Sequence, residues 1–308
     1  MPRNILKRGN PLDPVIFTIT LFGLSIPVRW YGVLVMFGVL AGGWLAEREV
    51  TRNGGKGERI WDLLIWVLPI GIVGARLWFV MNTTLGGNQY YLENPAQILN
   101  IPQGGLHFFG GLLFGAVALY FYVKKYKLDI WLFLDAIAPA ALVGQALARP
   151  ANFINQELYG QPTNLPWGIS IDAAHRIPVY SDLNLYPVAT TRFHPTFAYE
   201  IIWNLLAALL LYWLIRQYED RVKPGTAFGG WLILAGVGRA IIEHFRPDQP
   251  LIPGTPVSYS ALVSLLMAAA GVVLLLIRYG KISPAFAQGW EEEYQLEAEE
   301  VKAETASA

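Results

Sequence analysis

The sequence predicts an all-α polytopic membrane protein with about seven transmembrane helices, a small external head, the amino end outside and the carboxyl end inside. Of its 308 residues, 54% are hydrophobic and only 15% are charged, whereas a soluble domain of this size usually carries about 25% charged residues. Because surface that faces lipid need not be polar, this deficit of charge indicates a membrane protein. Two further observations, the lengths of the apolar segments and the positions of the basic residues, predict the number of spans and their direction.

Seven apolar segments, each of about 17 to 21 residues, are long enough to cross a hydrocarbon layer of roughly 30 Å as helices. They are 28–46, 60–80, 105–123, 130–147, 197–215, 226–243 and 258–278. Twelve Lys and Arg residues lie in one alternate set of connections and four in the other. The basic set comprises 47–59, 124–129, 216–225 and 278–281, and the other set comprises 81–104, 148–196 and 244–257. Basic loops favour the cytoplasmic side, so the sequence predicts a multi-pass protein whose amino end is external.

Three regions outside the spans differ in character. Residues 15–32, VIFTITLFGLSIPVRWYG, alternate apolar and hydroxyl residues, which favours an extended or interfacial segment over a membrane crossing. The loop 148–196 is long and mixed and contains Pro162, Pro166, Pro178 and Pro187, so we expect it to form the head. Residues 1–280 are therefore predicted to be a single integral membrane domain. The remainder, 281–308, is predicted to be an acidic cytoplasmic tail, a solvated, partly disordered or helical extension, because the last twenty residues carry seven Glu and one Lys.

The composition also excludes several kinds of chemistry. The chain contains no cysteine, which excludes disulfides, thiolate metal sites and a cysteine nucleophile of its own. No pair of histidines at metal-ligand spacing accompanies the acids, so neither a metal nor a cofactor is expected. We find no internal repeat of the kind that characterises many transporters.

A dense set of polar residues follows the fourth span in ARPANFINQELYGQPT, residues 148–163. Arg149, Asn152 and Asn155 repeat at a spacing of three, which places them on one face if the segment is helical, and Glu157 follows. One interpretation is an arginine that reaches the membrane interface beside hydrogen-bonding loop residues. The other interpretation is a binding site at the outer end of the span.

A second polar set ends the sixth span in WLILAGVGRAIIEHFRPDQP. Arg239, Glu243 and Arg246 follow one another at spacings of four and three, which predicts that they share a helical face. A charge near the membrane centre costs roughly 2.5–3.5 kcal/mol on insertion scales, so such residues normally face a protein interior or a wet cavity. Buried ion pairs, Arg239 with Glu243 or Arg76 with Asp135, are one explanation. An excess of arginines over acids toward the outer half instead favours a pocket for an anionic head group.

His107 lies in the glycine-rich segment QGGLHFFGGLLFG, which begins the third span. Small residues permit two helices to approach closely, and they also permit a backbone to approach a ligand. A single interfacial histidine is more often a hydrogen-bonded structural residue than a base. Its role is therefore left open by the sequence.

The chain resembles the bacterial phosphatidylglycerol–prolipoprotein diacylglyceryl transferases over about residues 11–280. Six motifs support this resemblance in order: DPVIF, VRWYG, GGLHFFGG, ARPANFINQELYGQPT, RFHPTFAYE and GRAIIEHFRPD. The resemblance implies an enzyme of the bacterial inner membrane that catalyses the first step of lipoprotein maturation. Its implied partners are phosphatidylglycerol, the lipobox peptide of a prolipoprotein and membrane lipids, with no nucleic acid. The diacylglyceryl group moves to the thiol of the lipobox cysteine, forming a thioether and releasing glycerol phosphate, so the nucleophile arrives on the substrate.

The resemblance and the two polar sets together give the candidate site residues. The expected catalytic residues are Arg239, Glu243, Glu157 and His107. The expected substrate-binding residues are Arg149, Asn152, Gly160, Tyr31, Arg246 and His194, of which His194 shares the block RFHPTFAYE with Tyr199 and Glu200.

The chain departs from the family pattern at four positions. Ala148, Ala151 and Gln156 occupy signature positions where the family normally has glycine. Many members have a histidine where this chain has Phe109, and His107 lies two residues earlier. On a helix, two residues correspond to a rotation of about 200°. The role of the family histidine as a base therefore does not carry over to His107.

Two other classes of protein compete with an enzyme of this family. A transporter or a lipid-binding scaffold could use the same arginines to hold an anionic lipid without cleaving it. A rhomboid-like protease is disfavoured, because no serine in a glycine-rich turn accompanies a membrane histidine. Incubation of the protein with phosphatidylglycerol and a lipobox peptide, followed by mass measurement, distinguishes these classes.

Overall fold

The computed structural model describes residues 13–21, 24–101 and 104–296, and this part of the chain is mostly helical. The described helices of the α type are α1 (Trp30–Arg52), α2 (Arg59–Leu85), α3 (Tyr90–Glu93), α4 (Phe108–Tyr126), α5 (Ile130–Ala148), α6 (Pro150–Ile154), α7 (Thr196–Gln217), α8 (Thr226–Glu243) and α9 (Tyr259–Arg278). Each of the seven predicted spans coincides with one long helix of this set, with ends that differ by a few residues.

Six of the described helices are long and apolar enough to cross a membrane, which makes the chain a multi-pass helical membrane protein. These six helices start at Trp30, Arg59, Ile130, Thr196, Thr226 and Tyr259. The third predicted span, α4, is a helix of 19 residues whose last turn carries Lys124 and Lys125, and it is not among the six. The total of seven spans stays a prediction.

A two-stranded antiparallel hairpin precedes α1, in the region for which the sequence predicts an extended segment. Strand β1 (Val15–Leu21) pairs with β2 (Leu24–Arg29), and Thr18 lies opposite Pro27. Pro27 is tolerated because both strands are edge strands, where one amide can go unpaired. The all-α prediction is therefore wrong for this segment, because alternating apolar and hydroxyl residues favour strand pairing over a helix.

The chain folds into two compact units. Unit 1 takes the chain up to Leu45 together with Leu134–Glu292, and unit 2 takes Ala46–Phe133 together with the segment after Glu292. The division falls within α1 and α5. All of α7, α8 and α9 belongs to unit 1, whereas α2 and α4 belong to unit 2.

In unit 1, Asp135 fixes the start of α8. Its carboxylate accepts hydrogen bonds from the backbone N–H groups of Gly225 (2.5 Å) and Phe228 (2.7 Å). Gly225 has φ +89°, a left-handed conformation that favours glycine at this cap. An acidic side chain also interacts favourably with the positive amino end of the helix dipole. Asp135 thus anchors the start of α8 through backbone amide groups. The partner considered for Asp135 from the sequence is Arg76.

In unit 2, α2 and α4 cross at glycines. A Cβ atom on Gly110 would collide with the backbone of Gly74, so the small residues of the glycine-rich segment serve close helix packing here. Arg76, close to this crossing, is buried and donates to carbonyl groups at 2.6–3.0 Å. Those carbonyls belong to Gln97, Ile98, Gly104 and Gly105. Backbone acceptors, which carry no formal charge, therefore satisfy Arg76.

Residues 155–195 contain short 3-10 turns and isolated β-bridges around a core of their own. Tyr159, Ile171, Tyr180 and Phe193 are all buried there. The guanidinium of Arg176 lies 4.4 Å from the Phe193 ring centroid, a cation–π contact. Burial raises the pKa of Tyr159 and Tyr180. This segment of unit 1 is therefore a packed substructure, larger than a simple connection between two spans.

Most of the described residues after α9 are exposed, and a few of them contact the rest of unit 1. The guanidinium of Arg278 lies 4.5 Å from the Trp290 ring centroid, and Glu292 forms an ion pair with Lys223 at 2.6 Å. Hydrogen bonding to Lys223 lowers the pKa of Glu292. Individual aromatic and charged partners thus hold part of the acidic tail in unit 1.

Candidate active site in unit 1

Three helices of unit 1 place charged side chains next to one another. Arg149 caps the short helix α6 directly after α5, Glu200 lies in the second turn of α7, and Arg239 and Glu243 lie near the carboxyl end of α8. Glu200 and Glu243 are each only 7% exposed. Buried charges require partners, and in a membrane protein they usually mark a functional site.

Glu200 is the central group of this cluster. One of its carboxylate oxygens, Oε2, forms an ion pair with Nε of Arg149. The other oxygen, Oε1, accepts from Nη1 of Arg239 at 3.2 Å. A single carboxylate therefore bridges the two arginines that the sequence predicts to bind an anionic head group.

Arg239 makes two further contacts, one on its own helix and one at the start of α9. Its Nη2 forms an ion pair with Oε2 of Glu243 at 2.7 Å, one turn along α8. Its Nε donates to the Ser260 hydroxyl at 3.2 Å. The ion pair of Arg239 with Glu243 that the sequence left open is present, but it lies within one helix, and Glu200 is the residue that links α7 to α8.

Arg149 continues the network into the loop after α6. Its Nη1 donates to Oδ1 of Asn152 at 3.3 Å. The amide groups of Asn152 and Asn155 both donate to Oε1 of Glu157, at 2.9 and 3.2 Å. Arg149 is therefore part of a polar network that links the loop after α6 to Glu200 of α7.

The charges of the cluster differ from the excess of arginine expected from the sequence. Arg149 and Arg239 face Glu157, Glu200 and Glu243, so these five side chains carry a formal charge of −1 when all are ionised. All three nitrogens of the Arg239 guanidinium have partners. Within the described part of the chain, Nη2 of Arg149 makes no hydrogen bond. It is therefore a donor that a ligand could engage.

His194 and Gly160 pack against each other and against Phe245, two residues after Glu243. Nδ1 of His194 lies 2.9 Å from the Tyr199 hydroxyl, which accepts a hydrogen bond from Trp167 Nε1 at 2.9 Å. The Tyr199 hydroxyl thus links the His194 ring to Trp167. Burial lowers the pKa of His194, which favours the neutral form of its ring. Gly160 donates to the His194 carbonyl at 2.8 Å, and a Cβ atom there would meet Phe245 and His194, so close packing requires glycine.

Gln156 lies at a position where the resemblance implies a glycine, and its backbone has φ +52°. This left-handed conformation favours glycine and is unusual for other residues. The Gln156 side chain donates to the Asp172 carboxylate at 2.8 Å and accepts from the Asp172 backbone at 2.7 Å. Two hydrogen bonds thus offset a backbone conformation that glycine would adopt without strain.

Three candidate residues are not joined to this network. Tyr31, in the first turn of α1, is 46% exposed, and its hydroxyl makes no hydrogen bond among the described residues. The prediction that Arg246 shares a helical face with Arg239 is wrong, because α8 ends at Glu243 and the chain turns. Arg246 binds both oxygens of Asp248, at 2.7 and 3.1 Å. Burial of Asp248 raises its pKa, but the contacts with Arg246 and the other hydrogen bonds of this carboxylate together lower the pKa by more than burial raises it. The pKa of Asp248 is therefore below its ordinary value.

His107, the third of these residues, belongs to unit 2, where it precedes the first turn of α4. Its ring centroid lies 6.3 Å from that of Trp78 and 5.6 Å from that of Phe109. Its Nδ1 is buried and without a hydrogen-bond partner in the described structure. These surroundings are those of an aromatic packing residue.

The charged site also contains Glu200 and two serines that the sequence did not identify as candidates. Glu200 entered only as part of a family block, although an acidic residue inside an apolar span is itself a signal of function. Ser258 and Ser260 gave no signal, because hydroxyl residues at the start of a helix are common caps. Within the described residues, no group of three or more His, Asp or Glu side chains could hold a metal ion.

The apolar helices and the buried cluster define the class: a multi-pass helical membrane protein with a linked set of arginines and carboxylates in its interior. Residues 14–277 match the family model described as prolipoprotein diacylglyceryl transferase. The chain belongs to this family.

Curated relatives agree with this assignment. The chain is 35% identical over 280 residues to the phosphatidylglycerol–prolipoprotein diacylglyceryl transferase of Chloroflexus aggregans, covering 86% of this chain and 90% of the relative. It is 36% identical over 258 residues to the protein of the same name from Enterococcus faecalis, covering 84% and 88%. A third protein of this name, from Bifidobacterium longum, is 33% identical over 269 residues, covering 85% and 84%.

Proposed function

We propose that this protein transfers the diacylglyceryl group of phosphatidylglycerol to the thiol of the lipobox cysteine of prolipoproteins. The observation that carries the proposal is the buried network in which Glu200 joins Arg149 to Arg239, in a chain that matches the transferase family over residues 14–277. The names of the relatives supply the two substrates. Removal of a phosphate group requires positive charge at the leaving oxygen, which the two arginines provide.

The proposed topology has seven spans in the bacterial inner membrane, with the amino end outside and the carboxyl end inside. The seventh span is α4, whose 19 residues are apolar up to Lys124 and Lys125 in the last turn. Lysines at a helix end can extend to the membrane surface, so they are compatible with a crossing. This direction places Arg149 and Glu243 at the outer ends of their helices, where an exported precursor arrives.

We assign the phosphate-binding role to both arginines, in different ways. Arg149 offers Nη2, which makes no hydrogen bond within the described part of the chain. Arg239 is held on three sides, by Ser260, Glu200 and Glu243, and its guanidinium is fixed in direction before the lipid arrives. A fixed guanidinium stabilises growing negative charge without further rearrangement.

In the proposed reaction, the thiol sulfur attacks the glyceryl carbon that bears the phosphate. A carbon–sulfur bond forms, the carbon–oxygen bond breaks, and its electron pair remains on the phosphate oxygen of the departing glycerol phosphate. The thiol proton passes to a carboxylate and then to solvent. A thiol has an intrinsic pKa of about 8.5, so attack at neutral pH benefits from such an acceptor.

We propose Glu157 as this acceptor. Both oxygens of Glu243 have partners, Arg239 and Ser258, so Glu243 orients the arginine. Glu157 uses only Oε1, for two amide donors, and Oε2 makes no hydrogen bond within the described part of the chain. His107→Ala should keep substantial activity and Glu157→Gln should lose most of it. The opposite result, with both variants folded, would return the role of base to His107.

The deciding experiment incubates purified protein with lipid vesicles and a lipobox peptide, followed by mass spectrometry of the peptide. We expect the mass of one diacylglyceryl group on a peptide with cysteine and no change on a peptide with serine. Vesicles of phosphatidylethanolamine are the lipid control. Binding of phosphatidylglycerol without any peptide product would overturn the transferase proposal in favour of a lipid-binding or transport protein.

A further inference from the structure

Ser258 is a buried hydroxyl at the junction between the start of α9 and the cluster. It is only 4% exposed and directly precedes the first residue of α9. Its Oγ accepts the backbone N–H of Ala261 at 3.0 Å, as a helix cap does. The same Oγ lies 2.6 Å from Oε1 of Glu243.

The direction of these two hydrogen bonds is fixed by the chemistry of a hydroxyl. A serine has one hydroxyl proton and two lone pairs. The amide of Ala261 can only donate, and the Glu243 carboxylate accepts. The proton of Ser258 therefore points at Glu243, and the cap holds the oxygen in place while it does so.

The consequence for Glu243 is that both of its oxygens are held. Oε1 accepts from Ser258, and Oε2 is paired with Nη2 of Arg239. Two residues further along, Ser260 accepts a hydrogen bond from Nε of Arg239. The first turn of α9 thus acts on Arg239 twice, directly through Ser260 and indirectly through Ser258 and Glu243.

We propose that Ser258 is a positioning residue that sets the direction of the Arg239 guanidinium through Glu243. This inference rests on the proposed transferase activity, in which Arg239 stabilises the departing phosphate. Without the hydroxyl, the Glu243 carboxylate is free to turn, and it pairs with Arg239 in a geometry that competes with the phosphate. The contact of Arg239 with the phosphate matters most in the transition state, where negative charge develops on the leaving oxygen. Weakening this contact therefore lowers mainly kcat.

Ser258→Gly separates positioning from capping, because glycine is nearly as good a helix cap as serine but has no hydroxyl. Ser258→Thr keeps both the cap and the hydroxyl. The matched control is Ser264→Ala, since Ser264 is also buried in unit 1 and its hydroxyl donates to the backbone carbonyl of Ser260 at 2.7 Å. Thermal unfolding of each purified variant reports on its folding.

In the peptide assay we expect Ser258→Gly to lower kcat about 10- to 100-fold, the range for one hydrogen bond to a charged group. KM for phosphatidylglycerol should change by less than about threefold, because the loss falls on the transition state. Ser258→Thr and Ser264→Ala should stay near the wild-type rate. The inference is overturned if Ser258→Gly is as fast as the wild type. It is also overturned if Ser258→Thr is as slow as Ser258→Gly when the two variants unfold at the same temperature. An inactive wild-type protein in the same assay would instead overturn the proposed function.

Discussion

Glu200 and Arg239 are in contact at 3.2 Å between α7 and α8, and the same carboxylate also pairs with Arg149. One acid therefore keeps two guanidinium groups close together in a largely buried site. Without it, their mutual repulsion in a medium of low dielectric would separate them. The spacing of the phosphate-binding groups thus depends on a residue that itself repels phosphate.

Glu200→Gln should therefore reduce transfer at least about tenfold, because the amide keeps the size of the side chain but removes the charge that holds both arginines. The measurement is kcat/KM for the lipobox peptide at saturating phosphatidylglycerol. Glu93→Gln, at an exposed carboxylate of α3, is the control and should have no effect. Wild-type activity in Glu200→Gln would mean that the arginines keep their positions without the bridge.

Arg149→Lys should slow transfer roughly 10- to 100-fold, because lysine keeps the charge but cannot contact Glu200, Asn152 and a phosphate at once. Arg192→Lys is the matched control, since the side-chain hydrogen bonds of Arg192 within the described residues go to backbone carbonyls of the loop. If Arg149 and Arg239 bind one phosphate, the double variant Arg149→Lys/Arg239→Lys should raise the activation free energy by less than the sum of the two single increases. Strict additivity of their activation free energies would argue against a shared phosphate.

Gln156 permits a test of how this chain replaces a signature glycine. Gln156→Ala keeps the left-handed backbone but loses both hydrogen bonds to Asp172, whereas Gln156→Gly loses the bonds but relieves the strain. We expect the unfolding temperature to fall more for Ala than for Gly. The measurement is thermal unfolding in detergent, and equal values for the two variants would show that the backbone at this position is not strained.

The sequence predicts the long helices well because their signal is local. Continuous apolar segments become helices wherever the backbone has no water to bind, so the ends of α7 and α8 fall within a few residues of the prediction. The sequence also predicts an extended segment where the hairpin lies. It does not predict that Val15–Leu21 pairs with Leu24–Arg29, because the alternating pattern alone does not fix the register of two strands.

The site was predicted less completely because its partners are distant in the chain. Spacing on a single helix finds Arg239 with Glu243, but the same reasoning includes Arg246, which lies beyond the helix end. The contacts of Glu200 and Ser258 join residues of different helices. Only the packing of α7, α8 and α9 within unit 1 brings those groups together, and no local pattern encodes it.

The last prediction concerns the pH dependence of stability and rests on His194. Burial lowers its pKa in the folded protein, while in the unfolded chain the value is near the ordinary 6.5. The unfolded state therefore binds the proton more readily, and the folded state loses stability as the pH falls from the unfolded pKa through the folded one. The wild-type unfolding temperature should thus decrease between pH 7.5 and pH 5 more steeply than that of His194→Gln, in which an amide replaces the titrating ring. His175→Gln, at an exposed histidine, should keep the wild-type response. Parallel curves for the wild type and His194→Gln would show that the neutral ring contributes nothing to the acid sensitivity.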